Sequence, residues 1–185
     1  MLRNSTTSGM VQDMLNGNDV LVLVHLAAAR QPWTYRSLAE KLDMDVASVH
    51  RSVGRLKAVR LLDEDRHVKR SNLEEFLVHA LQFVLPVELG PIGRGVPTAW
   101  GAEPLRSMLA ESSEPLPVWS DPNGASRGPV IQPISERALK LAKLHPEIAE
   151  WLALLDALRV GRARDKKVAA DEIRSRIWAS ADVPA

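Results

Sequence analysis

The 185-residue sequence predicts a mainly α-helical protein that carries one small two-stranded β element. Three observations predict it. Apolar residues recur at three- and four-residue spacing over residues 18–85 and again from Ser135 onward, the period of a helix face. Side chains suited to capping stand just before those runs, at Asp19, Thr34, Asp45 and Ser71. Between the two helical regions, Pro86 to Pro133 holds nine of the twelve prolines and six of the ten glycines, which excludes long regular elements there.

Taken in order, Asp19 is expected to cap a helix from Val20 to about Ala29, because its carboxylate can accept the free N–H groups of the first turn. Thr34 is expected to cap a second helix through Leu42, and Asp45 a third from Val46 to about Val59. "LLDEDRHVKR" then reads as two short strands around a charged turn at Asp65 and Arg66. Ser71 with Glu74 forms a capping-box pattern that opens a helix through Phe83, and Pro86 stops it. These elements form an N-terminal domain, residues 1–85.

Residues 86–134 read as an ordered, irregular segment, because Trp100, Trp119 and several branched aliphatics there need burial. Within it, "EPLRSMLAES" suits a short helix with Pro104 at its first position. "PVWSDPNGASRGPVI" suits a hairpin turning at Pro122 to Gly124. Residues 135–185 return to helix. Pro146 starts one that carries Ile148, Trp151, Leu152, Leu155 and Leu158, and Val168, Ile173 and Ile177 mark the last. This C-terminal region is first a core or dimer face and second a partner interface.

Composition narrows the function. The net charge is only +1, so attraction to nucleic acid must come from local clustering. There is no cysteine, which excludes thiol catalysis and disulfides. The longest apolar run, Val20 to Ala29, is too short to span a bilayer, and "MLRNSTTSGMVQ" lacks an apolar signal core. The expected location is the cytoplasm, away from membranes.

On a helix from Val46 to Val59, successive side chains rotate by about 100°. Val46, Val49, Val53 and Leu56 then share a narrow face, with Ala47, Ser48, Arg51, Gly54, Arg55 and Ala58 opposite. Two arginines among small residues suit close approach to a DNA groove, since arginine reaches guanine edges or phosphates. The preceding helix buries Leu38, Ala39 and Leu42, and the "DMD" turn sets the angle: a helix-turn-helix arrangement. From Val46 to Arg70 there are seven bases against three acids, whereas Ser71 to Ile134 has three against seven. Positive charge is thus concentrated on the candidate reading helix and the turn after it.

Residues 20–70 resemble the bacterial MarR-type winged helix, "SLAEKLDMDVASVHRSVGRLKAVRLLD" matching its two helices and "LLDEDRHVKR" its wing. The resemblance implies that Ser48, Arg51, Ser52 and Arg55 hold reading-helix positions and Arg66 and Lys69 wing positions, with Arg70 adding charge. Gly54 in the reading helix and a short wing depart from that pattern. The remainder, notably "SNLEEFLVHALQFVLP", "RGVPTAWGAEPL", "PVWSDPNG" and "LALLDALRVGRAR", is similar to a group of bacterial winged-helix proteins often encoded beside nucleotidyltransferase-like toxins.

No catalytic constellation is visible. The five histidines have no ligand-spaced partner, "GPIGRG" lacks the Lys-Ser/Thr of a phosphate loop, and no Gly-x-Ser-x-Gly elbow occurs. The expectation is therefore a non-enzyme without metal or cofactor: a homodimeric, sequence-specific repressor acting on double-stranded DNA. The alternative is an antitoxin that neutralises a partner enzyme and regulates its own operon, with Trp100, Trp119 and Trp151 as partner-binding anchors.

Overall fold

This computed structural model of the chain describes residues 14–29, 32–109 and 115–179. Helix α1 (Gly17–Ala28) is capped by Asn16, whose side chain accepts the Asn18 and Asp19 amides while Asp19 reaches back to the Asn16 N–H. Asp19 is therefore the third residue of a capping box and not the cap, and the helix starts three residues earlier than expected. Helices α2 (Tyr35–Lys41) and α3 (Val46–Ala58) have Thr34 and Asp45 as caps, as their sequences predict. Asp43, at φ 52°, carries the chain round between them, a conformation that Asp tolerates better than most residues. Leu38, Leu42, Val49, Val53 and Leu56 meet the apolar side of α1 in the core.

The expected two-stranded wing is reduced to one bridge, Leu62 with Val68, around the turn at Glu64 and Asp65. Helix α4 (Arg70–Glu74) continues through a π-helical stretch, Glu75–Ala80, into α5 (Leu81–Val84). No side chain caps it at Lys69, so the Ser71–Glu74 capping box does not form. Glu74 instead accepts hydrogen bonds from Arg174 (2.9 Å) and Trp178 (2.8 Å) of the last helix, and these hold its carboxyl below the usual range.

The sheet lies in the proline-rich segment and has three antiparallel strands, β1 (Ile92–Pro97), β2 (Val118–Ser120) and β3 (Ser126–Pro129). The turn at Pro122–Gly124 exists, but β2 and β3 do not pair as a hairpin. Strand β1 lies between them, with Val96 opposite Trp119 and Arg94 opposite Arg127. Glycine allows that crossing. A Cβ on Gly95 would stand 2.0 Å from the Trp119 carbonyl oxygen, and one on Gly124 would stand 2.3 Å from the Gly95 carbonyl. Helix α6 (Leu105–Met108) follows Pro104, and its expected continuation through residues 110–112 lies outside the described residues.

Helix α7 (Ala138–Leu144) leads into α8 (Pro146–Val160), with Pro146 at its first turn as predicted, and α9 (Ala163–Ala179) closes the chain. Every residue from Trp151 to Arg159 is buried, so α8 is the central strut of the fold and not an open dimer or partner face. Its polar residues are internally satisfied. Asp156 accepts from Thr98 Oγ1 (2.8 Å), Trp119 Nε1 (2.7 Å) and Arg159 (2.8 Å). Arg159 also donates to the Leu85 and Gln132 carbonyls. Burial raises the Asp156 pKa, with Arg159 and the other two donors opposing it. One hydrophobic cluster runs through all three sequence zones, so they share a core.

Candidate nucleic-acid interface

Helix α3 carries the residues on which a DNA-reading role was expected, and its rotation decides which can serve. Val49, Ser52, Val53 and Leu56 are buried. Ala47, His50, Arg51, Gly54 and Ala58 are exposed. The outward face is thus turned from the one expected. Ser52 is only 1% exposed and cannot meet a base edge. It shares the inward arc with Val49 and Leu56 because 100° steps place residues 49, 52, 53 and 56 within one third of the circumference.

Arg55 is also corrected. Its Nε and Nη2 atoms donate to the two oxygens of Asp19 at 2.9 and 2.7 Å, a bidentate pair in which the carboxylate side chain is wholly buried. The guanidinium clamps α3 to α1 and serves the fold. Ser48 is half-buried, donating its hydroxyl to Asp45 (2.5 Å) and accepting from Arg51 Nη2 (2.7 Å). That hydroxyl, with the Ser48 amide, holds the Asp45 carboxyl below its usual range. The chain Asp45–Ser48–Arg51 orients the one arginine on the exposed face of α3.

A second exposed side chain stands beside it. His50 stacks on Tyr35 with ring centroids 3.5 Å apart and 14° between planes, and Tyr35 meets Trp33 edge-on at 5.4 Å. The Arg66 guanidinium lies 4.9 Å from the Trp33 centroid and 5.5 Å from that of Tyr35. This stack joins the start of α2, the middle of α3 and the turn after α3. His50 is a candidate reader that the sequence pattern did not single out, although its position one step before Arg51, on a helix with an assigned apolar face, was the available signal.

Around the turn the charge is mixed. Lys57 donates to the Glu64 carbonyl and pairs with its carboxylate at 2.7 Å. Asp63, Asp65 and His67 bring ligand-type atoms within 4.8 Å of one another, a juxtaposition not anticipated from sequence. Asp63 accepts the His67 N–H at 2.8 Å, which holds its carboxyl low. Of the expected wing residues, Arg66 lies against aromatic rings, Lys69 is exposed, and Arg70 is half-buried in the first turn of α4.

The tryptophans expected to bind a partner are not brought together on a surface. Trp119 and Trp151 are 3% and 4% exposed and belong to the core, and Trp100 is partly buried against it. Among the described residues, no helix is long and apolar enough to cross a membrane. No family model, no curated protein and no solved structure matches the chain.

Proposed function

We propose that the chain binds double-stranded DNA in a sequence-specific way through the outer face of α3, as a homodimeric transcriptional repressor of the MarR-like winged-helix type. The observation that carries the reading is that face itself. Ala47, Gly54 and Ala58 form a low strip with His50 and Arg51 at its sides, so backbone can approach a groove closely while two donor-bearing side chains reach base edges. The helix has 13 residues, about 20 Å long, enough for its exposed face to follow a major groove. Its mounting supports the same reading, because the Arg55–Asp19 clamp and the His50–Tyr35 stack fix the helix and one reader before any ligand arrives. Lys69, beside the turn, supplies a phosphate contact that carries no sequence information.

The toxin-neutralising alternative loses Trp119 and Trp151 as anchors, since both are spent inside the chain. The test is selection from a random duplex library with the purified protein, followed by binding titrations on the enriched sequence. Arg51→Ala is expected to weaken binding about 5- to 150-fold, the range for a lost bidentate base contact, and His50→Ala, which removes a single ring contact, to weaken it less. No enriched sequence, or unchanged affinity in both folded variants, overturns the proposal.

A further inference from the structure

The hydrogen bonds of Arg51, the exposed arginine of α3, determine what it can recognise. Asp45 caps the helix with an ionised carboxylate, which can only accept, so the Ser48 hydroxyl gives its proton to Asp45 Oδ2 at 2.5 Å. The Ser48 oxygen then has only lone pairs left, and Arg51 Nη2 donates to it at 2.7 Å. Ser48 has no proton remaining for a base edge. Arg51 carries five N–H donors in a planar fork, and Ser48 occupies one of the two on Nη2. The other Nη2 proton lies parallel to Nε–H or to Nη1–H, whichever side Ser48 leaves open. In both cases one edge of the guanidinium keeps two parallel donors. Such an edge matches the N7 and O6 acceptors of guanine, whereas adenine sets an amino group against one of them.

Its place on the helix favours a base over a phosphate. Arg51 stands one residue from the centre of α3, with Ala47 and Gly54 exposed about one turn to either side. Side chains that small let the helix sink toward the floor of a groove, where the base edges lie. The bond to Ser48, three residues earlier, folds the guanidinium back over the N-terminal half of α3. That half meets the bases when a helix-turn-helix docks. The remaining bases of the helix are held elsewhere, Arg55 on Asp19 and Lys57 on Glu64.

We infer that α3 selects a guanine through Arg51, and that Ser48, its proton committed to Asp45, is the positioning residue for that contact. This rests on the proposed DNA reading and adds to it the base, the edge of the base and the residue that sets the angle. Holding the guanidinium in place beforehand removes part of the rotamer loss from the binding step. Losing Ser48 therefore costs specificity while the charge on α3 stays the same.

The experiment uses the full chain and the duplex it enriches from a random library. Each guanine of that duplex is replaced singly by 7-deazaguanine, which lacks the N7 acceptor, and affinities are measured for wild type, Arg51→Ala, Ser48→Ala and Ser48→Thr. At one guanine the replacement is expected to weaken wild type at least about 5-fold and to leave Arg51→Ala unchanged, the mark of a shared contact. Ser48→Ala keeps the Asp45 cap on the Ser48 amide, so α3 stays intact. It is expected to weaken binding to the enriched duplex about 2- to 10-fold and to leave a scrambled duplex unaffected, with Ser48→Thr close to wild type. Nitrogen relaxation of the Arg51 Nε–H group in the free protein is expected to show order in wild type and mobility in Ser48→Ala. A 7-deazaguanine effect equal in wild type and Arg51→Ala at every guanine overturns the base assignment and leaves DNA binding through α3 standing. An Arg51 group equally mobile in wild type and Ser48→Ala overturns the positioning role, whatever the chain binds. If no duplex is enriched, the DNA reading falls and the guanine contact falls with it.

Discussion

Removing the Arg55 side chain separates a structural arginine from a reading one. In Arg55→Ala, the Asp19 carboxylate, wholly buried in the wild type, loses two charge-assisted hydrogen bonds at 2.9 and 2.7 Å. It keeps the Asn16 N–H at 2.9 Å, so the group is only partly satisfied. Breaking one side of a buried ion pair costs about 3–5 kcal/mol, because the remaining charge has lost its counter-ion. For a chain of this length each kcal/mol moves the melting temperature by about 2–4 °C, so a fall of about 6–20 °C is expected. Arg51→Ala, whose guanidinium is exposed and bonded to Ser48, should stay within about 0.5 kcal/mol of wild type. Adding Asp19→Asn to Arg55→Ala removes the stranded charge and should restore at least half of the loss. Differential scanning calorimetry on the four proteins measures all of this. An Arg55→Ala melting point within about 2 °C of wild type would refute the assignment of Arg55 to the fold.

Gly54→Ala should stabilise the protein by about 0.5–1 kcal/mol in thermal melts, since an added Cβ meets nothing within 4 Å and glycine is the poorer helix former. Trp119→Phe removes the Nε1 donor from Asp156 and leaves a small cavity in place of the second indole ring, and urea denaturation should show a loss of at least about 1.5–3 kcal/mol. Glu74 has its folded-state pKa lowered by Trp178 and Arg174, so its contribution is present above its unfolded pKa and lost as pH falls through the lower folded value. Stability curves measured from pH 6 down to pH 3 should therefore drop less steeply in Glu74→Gln than in wild type, and an identical slope would contradict the link.

What the sequence discloses is what depends on neighbours. Thr34, Asp45 and Pro146 mark helix starts because a cap or a missing N–H acts within one turn. The three-stranded sheet is illegible because its strands are three to six residues long, rich in glycine and proline, and paired across up to 37 positions, as with Ile92 and Pro129. Arg55 was misread for a related reason: its partner Asp19 lies 36 residues upstream, where periodicity on α3 alone cannot reach. Ser52 shows the limit of polarity as a guide, since a small hydroxyl can turn inward at little steric cost while the helix still looks amphipathic. Trp119 was read as needing burial and Trp151 as part of a core or dimer face, but the sequence does not say whether the chain itself or a partner supplies the cover.

The buried carboxylate of Asp156 also orders events in time. Thr98 and Trp119 find their acceptor on a residue 58 and 37 positions later, and the α8 helix that carries it is the strut against which the earlier layers close. During synthesis at about 5–20 residues per second, the first 145 residues leave the ribosome with their inner surface still uncovered. The α1–α3 unit can assemble early because its mutual contacts, the Asp19–Arg55 pair included, lie within residues 17–58, whereas the sheet lacks its α8 docking face until the last quarter of the chain. A truncation before Pro146 therefore deprives the proline-rich middle of its docking site, even though every strand residue is present.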